Sequence, residues 1–242
     1  MSLLGALGLG RGGVVAAVGA GGKTTLLYRL AHEAHSAGLR VLVTSTTHMG
    51  PLPEATTGPL LLGDVAREAI EEAVSRTGLV TLLGKRVRPD KIEGISAEQV
   101  DSVAPLVDLV LVEADGARGR SLKLPAPHEP VLPGTTGVVL VLAGMDVLGA
   151  PLTDANVHRV ALVTSACGRA EGEPVDAEAL LATLLHETGY LSRIPPGVRA
   201  GVFLNKAEGE PLGAAEVAGR LVPPYAFAAY GSAQSGTVAL VE

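Results

Sequence analysis

Apolar residues in this chain follow two patterns: short, mostly unbroken runs, and longer stretches in which they recur every third or fourth position. The runs at 13–18, 40–44, 60–62, 79–83, 108–112, 138–143, 199–204, 225–230 and 237–241 have strand length and predict strands, those at 13–18, 108–112 and 138–143 buried and the last at an edge. Helical spacing is met by Leu26, Leu27, Leu30, Ala31 and Ala34, and again by Val65, Ala69, Ile70 and Ala73 in a helix that Asp64 caps and that reaches about Arg76. It returns within 176–187, through Ala177, Leu180, Leu181, Leu184 and Leu185, and in a short helix at 214–220. Strands that alternate with helices call for an α/β fold, a mostly parallel sheet with helices on both faces. With no internal repeat or low-complexity linker, residues 1–242 are expected to form one domain. Residues 117–137 break the pattern, with no clear period and prolines at Pro125, Pro127, Pro130 and Pro133. A long irregular segment inside a compact domain is either functional or disordered. Its content of Arg118, Arg120, Lys123, His128 and Glu129 favours a substrate or partner loop.

Composition narrows the classes. Hydrophobic residues make up 47% but aromatics only 2%, so the core is aliphatic. Arg11 interrupts the apolar N-terminus, and no run approaches the roughly 18 residues that cross a bilayer. No basic segment precedes Leu3 and Leu4, so neither a signal peptide nor a membrane anchor is expected. The single cysteine, Cys167, excludes an intrachain disulfide and fits a reducing cytoplasm; it is expected to be a packed thiol. A net charge of −6 with few aromatics argues against a nucleic-acid surface. A phosphorylated small molecule needs only a local basic cluster.

The first strand leads into Gly19-Ala20-Gly21-Gly22-Lys23-Thr24-Thr25 and then into a helix, the context in which a glycine-rich turn becomes a phosphate-binding loop. Glycines let successive N–H groups converge on one anion, and the helix N-terminus adds its partial positive charge. Lys23 is then expected to reach the outer phosphates and the Thr24 hydroxyl to ligate Mg²⁺. The strict pattern would place another glycine at position 17, where this chain has Ala17. The strand at 108–112 delivers Glu113 and Asp115 to its C-terminal end, two residues apart and so on one side of an extended chain. Both are expected to serve Mg²⁺ and an attacking water. Ser45-Thr46-Thr47-His48 ends another strand, where it faces the metal or forms a capping turn. The basic turn at 85–91 is either solvated surface or a binding element. His158 reads as a structural histidine or, with Arg159, as part of the substrate or partner site.

The strand at 199–204 ends in Asn205-Lys206-Ala207-Glu208, which resembles the Asn-Lys-x-Asp base-recognition motif of guanine-nucleotide proteins, with Glu in place of Asp. Ser232 and Ala233 follow the next strand, where such proteins touch guanine O6 through a backbone N–H. The resemblance implies GTP in preference to ATP, bound through Asn205, Lys206, Glu208, Ser232 and Ala233.

Taken together, 19–25, 113–117, Lys123 with 128–130, 144–152, 157–159 and 204–206 resemble the YqeC family, regarded as accessory proteins of selenium-dependent molybdenum hydroxylases. The resemblance covers nearly the whole chain and implies a P-loop NTPase-like fold and a role in maturing a molybdenum-cofactor hydroxylase. A more distant likeness to metallochaperone GTPases implies a metal-serving role for Glu113. Three functions are compatible with these residues. The leading one is a Mg²⁺-dependent nucleoside triphosphatase; the others are a kinase or nucleotidyl-type transferase acting on a cofactor, and a binding module without chemistry.

Overall fold

Among the described residues nine strands join one sheet in which β1 (Gly13–Gly19) lies at the centre, between β7 (Leu109–Glu113) and β9 (Thr136–Gly144). The computed structural model describes residues 2–50, 52, 58–209 and 211–242. Beyond β7 the sheet continues through β2 (Val41–Ser45), β4 (Leu79–Leu83) and the edge strand β3 (Leu60–Leu62). Beyond β9 it continues through β11 (Arg199–Asn205) and β12 (Phe227–Ser232) to β13 (Thr237–Val241). Every neighbouring pair is parallel except β12 and β13. Two small pairs lie outside the sheet: β5 (Arg86–Arg88) with β6 (Lys91–Ile92), and β8 (Leu122–Lys123) with β10 (Val157–His158).

The unbroken apolar runs have a direct cause, since both faces of the sheet are covered. Along β1, Val14, Ala16 and Val18 join the core on one face, and Val15 and Ala17 join the core on the other. Helices α1 (Leu3–Ala6) and α2 (Lys23–Ser36) cover the second face through Leu3, Leu7, Leu26 and Leu30. The first face is covered by α3 (Arg67–Thr77), α4 (Ala97–Val103), α5 (Val160–Cys167), α6 (Ala177–Leu184) and α7 (Pro211–Leu221). This is the α/β architecture, a mostly parallel sheet with helices on both faces, expected from the alternation. No helix among the described residues is long and apolar enough to cross a membrane.

Several boundaries differ from expectation. The α3 helix begins after Ala66 with no side-chain cap, because Asp64 is exposed and faces Lys85 at 3.8 Å. Asp176 does cap α6, accepting from the Ala179 N–H, but the helix stops at Leu184 and the expected continuation folds into a turn closed by Gly189 N–H to His186 O. Tyr225 lies before β12 rather than in it, buried with its hydroxyl donating to Leu184 O. Cys167 is only half-buried at the end of α5. The 117–137 segment is not a surface excursion throughout. Residues 121–126 are buried and include β8, and its last two residues begin β9.

Candidate functional site

The parallel register brings the C-terminal ends of β1, β2, β7, β9 and β11 to one edge, pairing Ala17 and Ser45 with Glu113 and Asn205 with Gly144. The loop after β1 fits there only because of its glycines. Gly19 and Gly21 have φ of +93° and +84°, and a Cβ on either would lie 2.3 Å from Leu142 O or 2.2 Å from Gly144 N. An L side chain at either position would therefore meet backbone as well as torsional strain. Hydrogen bonds from Ala20 N–H to Leu142 O and from Gly21 N–H to Arg120 O fix the turn. Gly22 is the N-cap of α2 and supplies no capping side chain, so the first N–H groups of the helix stay open to an anion.

Thr24 Oγ1 donates to Glu113 Oε2 at 2.7 Å, which sets a hydroxyl and a carboxylate side by side at the mouth of this loop. Thr25 is exposed. Lys23 is folded back, with Nζ donating to Gly19 O at 2.7 Å and lying 3.1 Å from Asp115 Oδ1 and 3.8 Å from Glu113 Oε1. Burial pulls the Lys23 ammonium toward deprotonation, yet the facing carboxylates of Asp115 and Glu113 outweigh it and raise its pKa above the ordinary lysine value.

Asp115 is placed differently from the metal-binding carboxylate expected of it. It is fully buried, and its Oδ2 accepts from Gly19 N–H at 3.0 Å and Tyr190 Oη at 2.6 Å and pairs with Lys123 Nζ at 2.8 Å. These contacts saturate that oxygen and turn the side chain toward Lys23, away from the cleft. Lys123, expected in a substrate loop, is likewise buried; its three protons meet Asp115 Oδ2, Gly116 O and Glu129 Oε2. Glu129 then takes a two-pronged contact from Arg159, at 2.6 and 3.1 Å. The result is a chain of alternating charge, Lys23, Asp115, Lys123, Glu129 and Arg159, running from the phosphate loop to the start of α5. Arg193 holds its far end by donating to the carbonyls of Ala126 and Glu129. Sequence reasoning missed Tyr190 and Arg193, which sit after α6 in a segment with no motif to mark them.

Burial pushes the Glu129 carboxyl up, but hydrogen bonds from Arg159 and Lys123 and the Lys123 charge outweigh it and hold its pKa at about 2, against an ordinary 4.5. A carboxylate depressed in the folded state contributes stability that is fully present above the unfolded value and is lost as pH falls through the folded one. Denaturant unfolding of the wild type is expected to show stability declining between pH 4.5 and about 2. Glu129→Gln should flatten that part of the profile; an unchanged slope in the variant would place the acid sensitivity elsewhere.

The loop and the strand ends open onto a cleft of about 1190 Å³, lined by Gly21, Gly22, Lys23, Thr24 and Glu113 at one side. Thr46, Thr47, His48, Arg88, Lys91, Arg118, Arg120, His128, Glu129, His158 and Arg159 complete much of the wall. The structure thus gathers the phosphate loop, the end of β2, the basic turn and the 117–137 segment around one space. It leaves Asn205, Lys206, Glu208, Ser232 and Ala233 outside that lining. Asn205 instead braces the loop from its other flank, donating to Gly21 O at 2.7 Å and accepting from Ala233 N–H at 2.8 Å. That N–H, expected to touch guanine O6, is already engaged. Lys206 donates to Ser121 Oγ and Asp146 Oδ2, and Glu208 is exposed.

A family model described as YqeC protein matches residues 15–161, which include the phosphate loop, both strand-end acids and the whole charge chain up to Arg159. The chain belongs to the YqeC family. YqeC of Escherichia coli (strain K12) is 33% identical over 197 residues, 80% of this chain and 75% of that protein. The base-motif positions 205–208 and 232–233 fall beyond the region that the family model matches. Among solved structures, chloroplast FtsY from Physcomitrella patens aligns with 96% of this chain at 20% identity and a TM-score of 0.44. The chain spans 63% of that protein's length.

Proposed function

We propose that this YqeC family member, folded as one domain, is a Mg²⁺-dependent nucleoside triphosphatase that prefers GTP and acts as an accessory factor for a molybdenum-cofactor hydroxylase. The observation that carries the first part is the contact of Thr24 Oγ1 with Glu113 Oε2 beside an uncapped, glycine-turned helix start that holds a buried lysine. Two hard oxygen donors suit Mg²⁺, which completes its octahedron with water and phosphate oxygens rather than with a protein cage. No group of three or more His, Cys, Asp or Glu side chains among the described residues is arranged to hold a metal. When bound with the nucleotide, the metal would neutralise charge on the phosphates. Lys23 supplies positive charge to the same oxygens by swinging from Gly19 O, Glu113 orients water, and Asp115 positions Lys23. The accessory role rests on family membership.

Guanine preference rests on Glu208, exposed just beyond β11 and able to accept from the ring N–H and the amino group that adenine does not offer in that arrangement. Calorimetric titration of GTP and ATP, with and without Mg²⁺, tests the reading. Saturable, Mg²⁺-dependent binding of GTP ahead of ATP is expected, with the difference collapsing in Glu208→Ala. Equal binding of the two nucleotides by the wild type would remove the base assignment, and binding of neither would remove the nucleotide.

A further inference from the structure

The cleft is larger than the phosphate end of one nucleotide needs. Its 1190 Å³ exceeds the roughly 300–1,000 Å³ that encloses a drug-sized ligand. The positions proposed to hold the base lie outside its lining, so the nucleoside leads away from it and only the phosphates enter. The remaining wall is cationic, and part of that charge is uncommitted. Among the described residues Arg118 and Lys91 have no ion-pair or hydrogen-bond partner for their side chains, and Arg120 reaches only the carbonyl of Arg118. The nearby acids are mostly engaged: Glu129 by Arg159 and Lys123, and Asp90 by Arg88 at 3.8 Å, leaving Asp154. Unpaired cations facing one concave space are the arrangement that recognises a multiply charged oxyanion.

We propose that this basic half of the cleft binds a second ligand, a phosphorylated small molecule, beside the terminal phosphate of the nucleotide, with Arg118 and Lys91 as its principal charge partners and His158 as a hydrogen-bonding group. The direction in which the nucleotide lies is taken from the proposed function; the cations and the cavity are independent of it. Pairing of β10 with β8 sets His158, which lines the cleft, beside the buried Lys123. Burial, followed by the charges of Arg159, Lys123 and Arg118, pushes the His158 pKa down to about 4, so near neutral pH the imidazole offers one donor and one acceptor.

The test titrates glycerol 2-phosphate and fructose 1,6-bisphosphate, with citrate as a polyanion that has no phosphate, into full-length protein. Three forms are compared: wild type saturated with Mg²⁺-nucleotide, Lys23→Ala without nucleotide, and the double variant Lys91→Ala, Arg118→Asn. Asn is chosen because Arg118 has φ +50°, which Asn tolerates. Phosphate-ester binding should persist in the first two forms and weaken at least tenfold in the third, whose circular dichroism should match wild type. Loss of binding in Lys23→Ala with none in the double variant would put the anion in the phosphate loop and overturn the second site. Binding of citrate but of neither ester would overturn the ligand class. If the nucleotide fails to bind at all, ester binding to Lys23→Ala still decides this proposal by itself.

Discussion

Asp115→Asn is expected to destabilise the fold by about 3–5 kcal/mol, the cost typical of breaking a buried ion pair by removing one partner. The amide keeps the shape of the carboxylate but cannot neutralise Lys23 and Lys123, which are 4% and 2% exposed and lie 3.1 and 2.8 Å from it. Tyr190 Oη and Gly19 N–H would also lose an ionised acceptor. Part of the cost can be relieved by deprotonating a lysine, so the loss should be greater at neutral than at high pH. Urea unfolding of Asp115→Asn, Lys123→Met and the double variant measures this, and the double variant should be less destabilised than the sum of the singles. A change within about 0.5 kcal/mol for Asp115→Asn, the range of ordinary surface substitutions, would show that the charge chain does not hold the loop.

Glu113→Gln should lower nucleotide turnover about a hundredfold, roughly 2.7 kcal/mol in the barrier, while nucleotide affinity changes far less. Glu113 ends β7, is 8% exposed, and meets Thr24 Oγ1 at 2.7 Å; on the proposed function its carboxylate would act where charge develops in the transition state. Gln preserves size and one acceptor, which separates charge from shape. Steady-state hydrolysis of GTP and ATP, with and without a phosphorylated small molecule, is the measurement. Wild-type turnover in the variant would remove Glu113 from the chemistry. No turnover by the wild type under any of these conditions would make the chain a binding module.

Local pattern was enough for the inner strands because both faces of the sheet are covered there, so each reads as an apolar run whichever side its residues point to; the edge strands β3 and β13 are only partly covered. It was also enough for the loop at 19–25, where steric demand leaves glycine little competition. Spacing placed Glu113 and Asp115 on one side, and both do approach Lys23. What spacing could not convey was depth. Asp115 turns inward because Tyr190, 75 residues away in sequence, and Lys123 converge on it, and no local signal marks either contact. The same holds for Lys123 and Glu129, whose charges suggest an exposed substrate loop until β8 pairs with β10 and draws the segment under the cleft. The α5 helix was hidden for another reason. Its residues Val160–Cys167 are apolar almost throughout, which leaves little periodicity to read.

On the proposed function the loop at 19–25 binds the phosphates of a Mg²⁺-nucleotide through Lys23. Calorimetric titration of Mg²⁺-GTP and Mg²⁺-ATP into wild type and Lys23→Ala decides this, since Lys23 meets both the loop and Glu113. Saturable binding in the wild type and its loss in the variant, with the variant still folded, is the predicted result. Equal affinity in the two proteins would remove the loop from the nucleotide site.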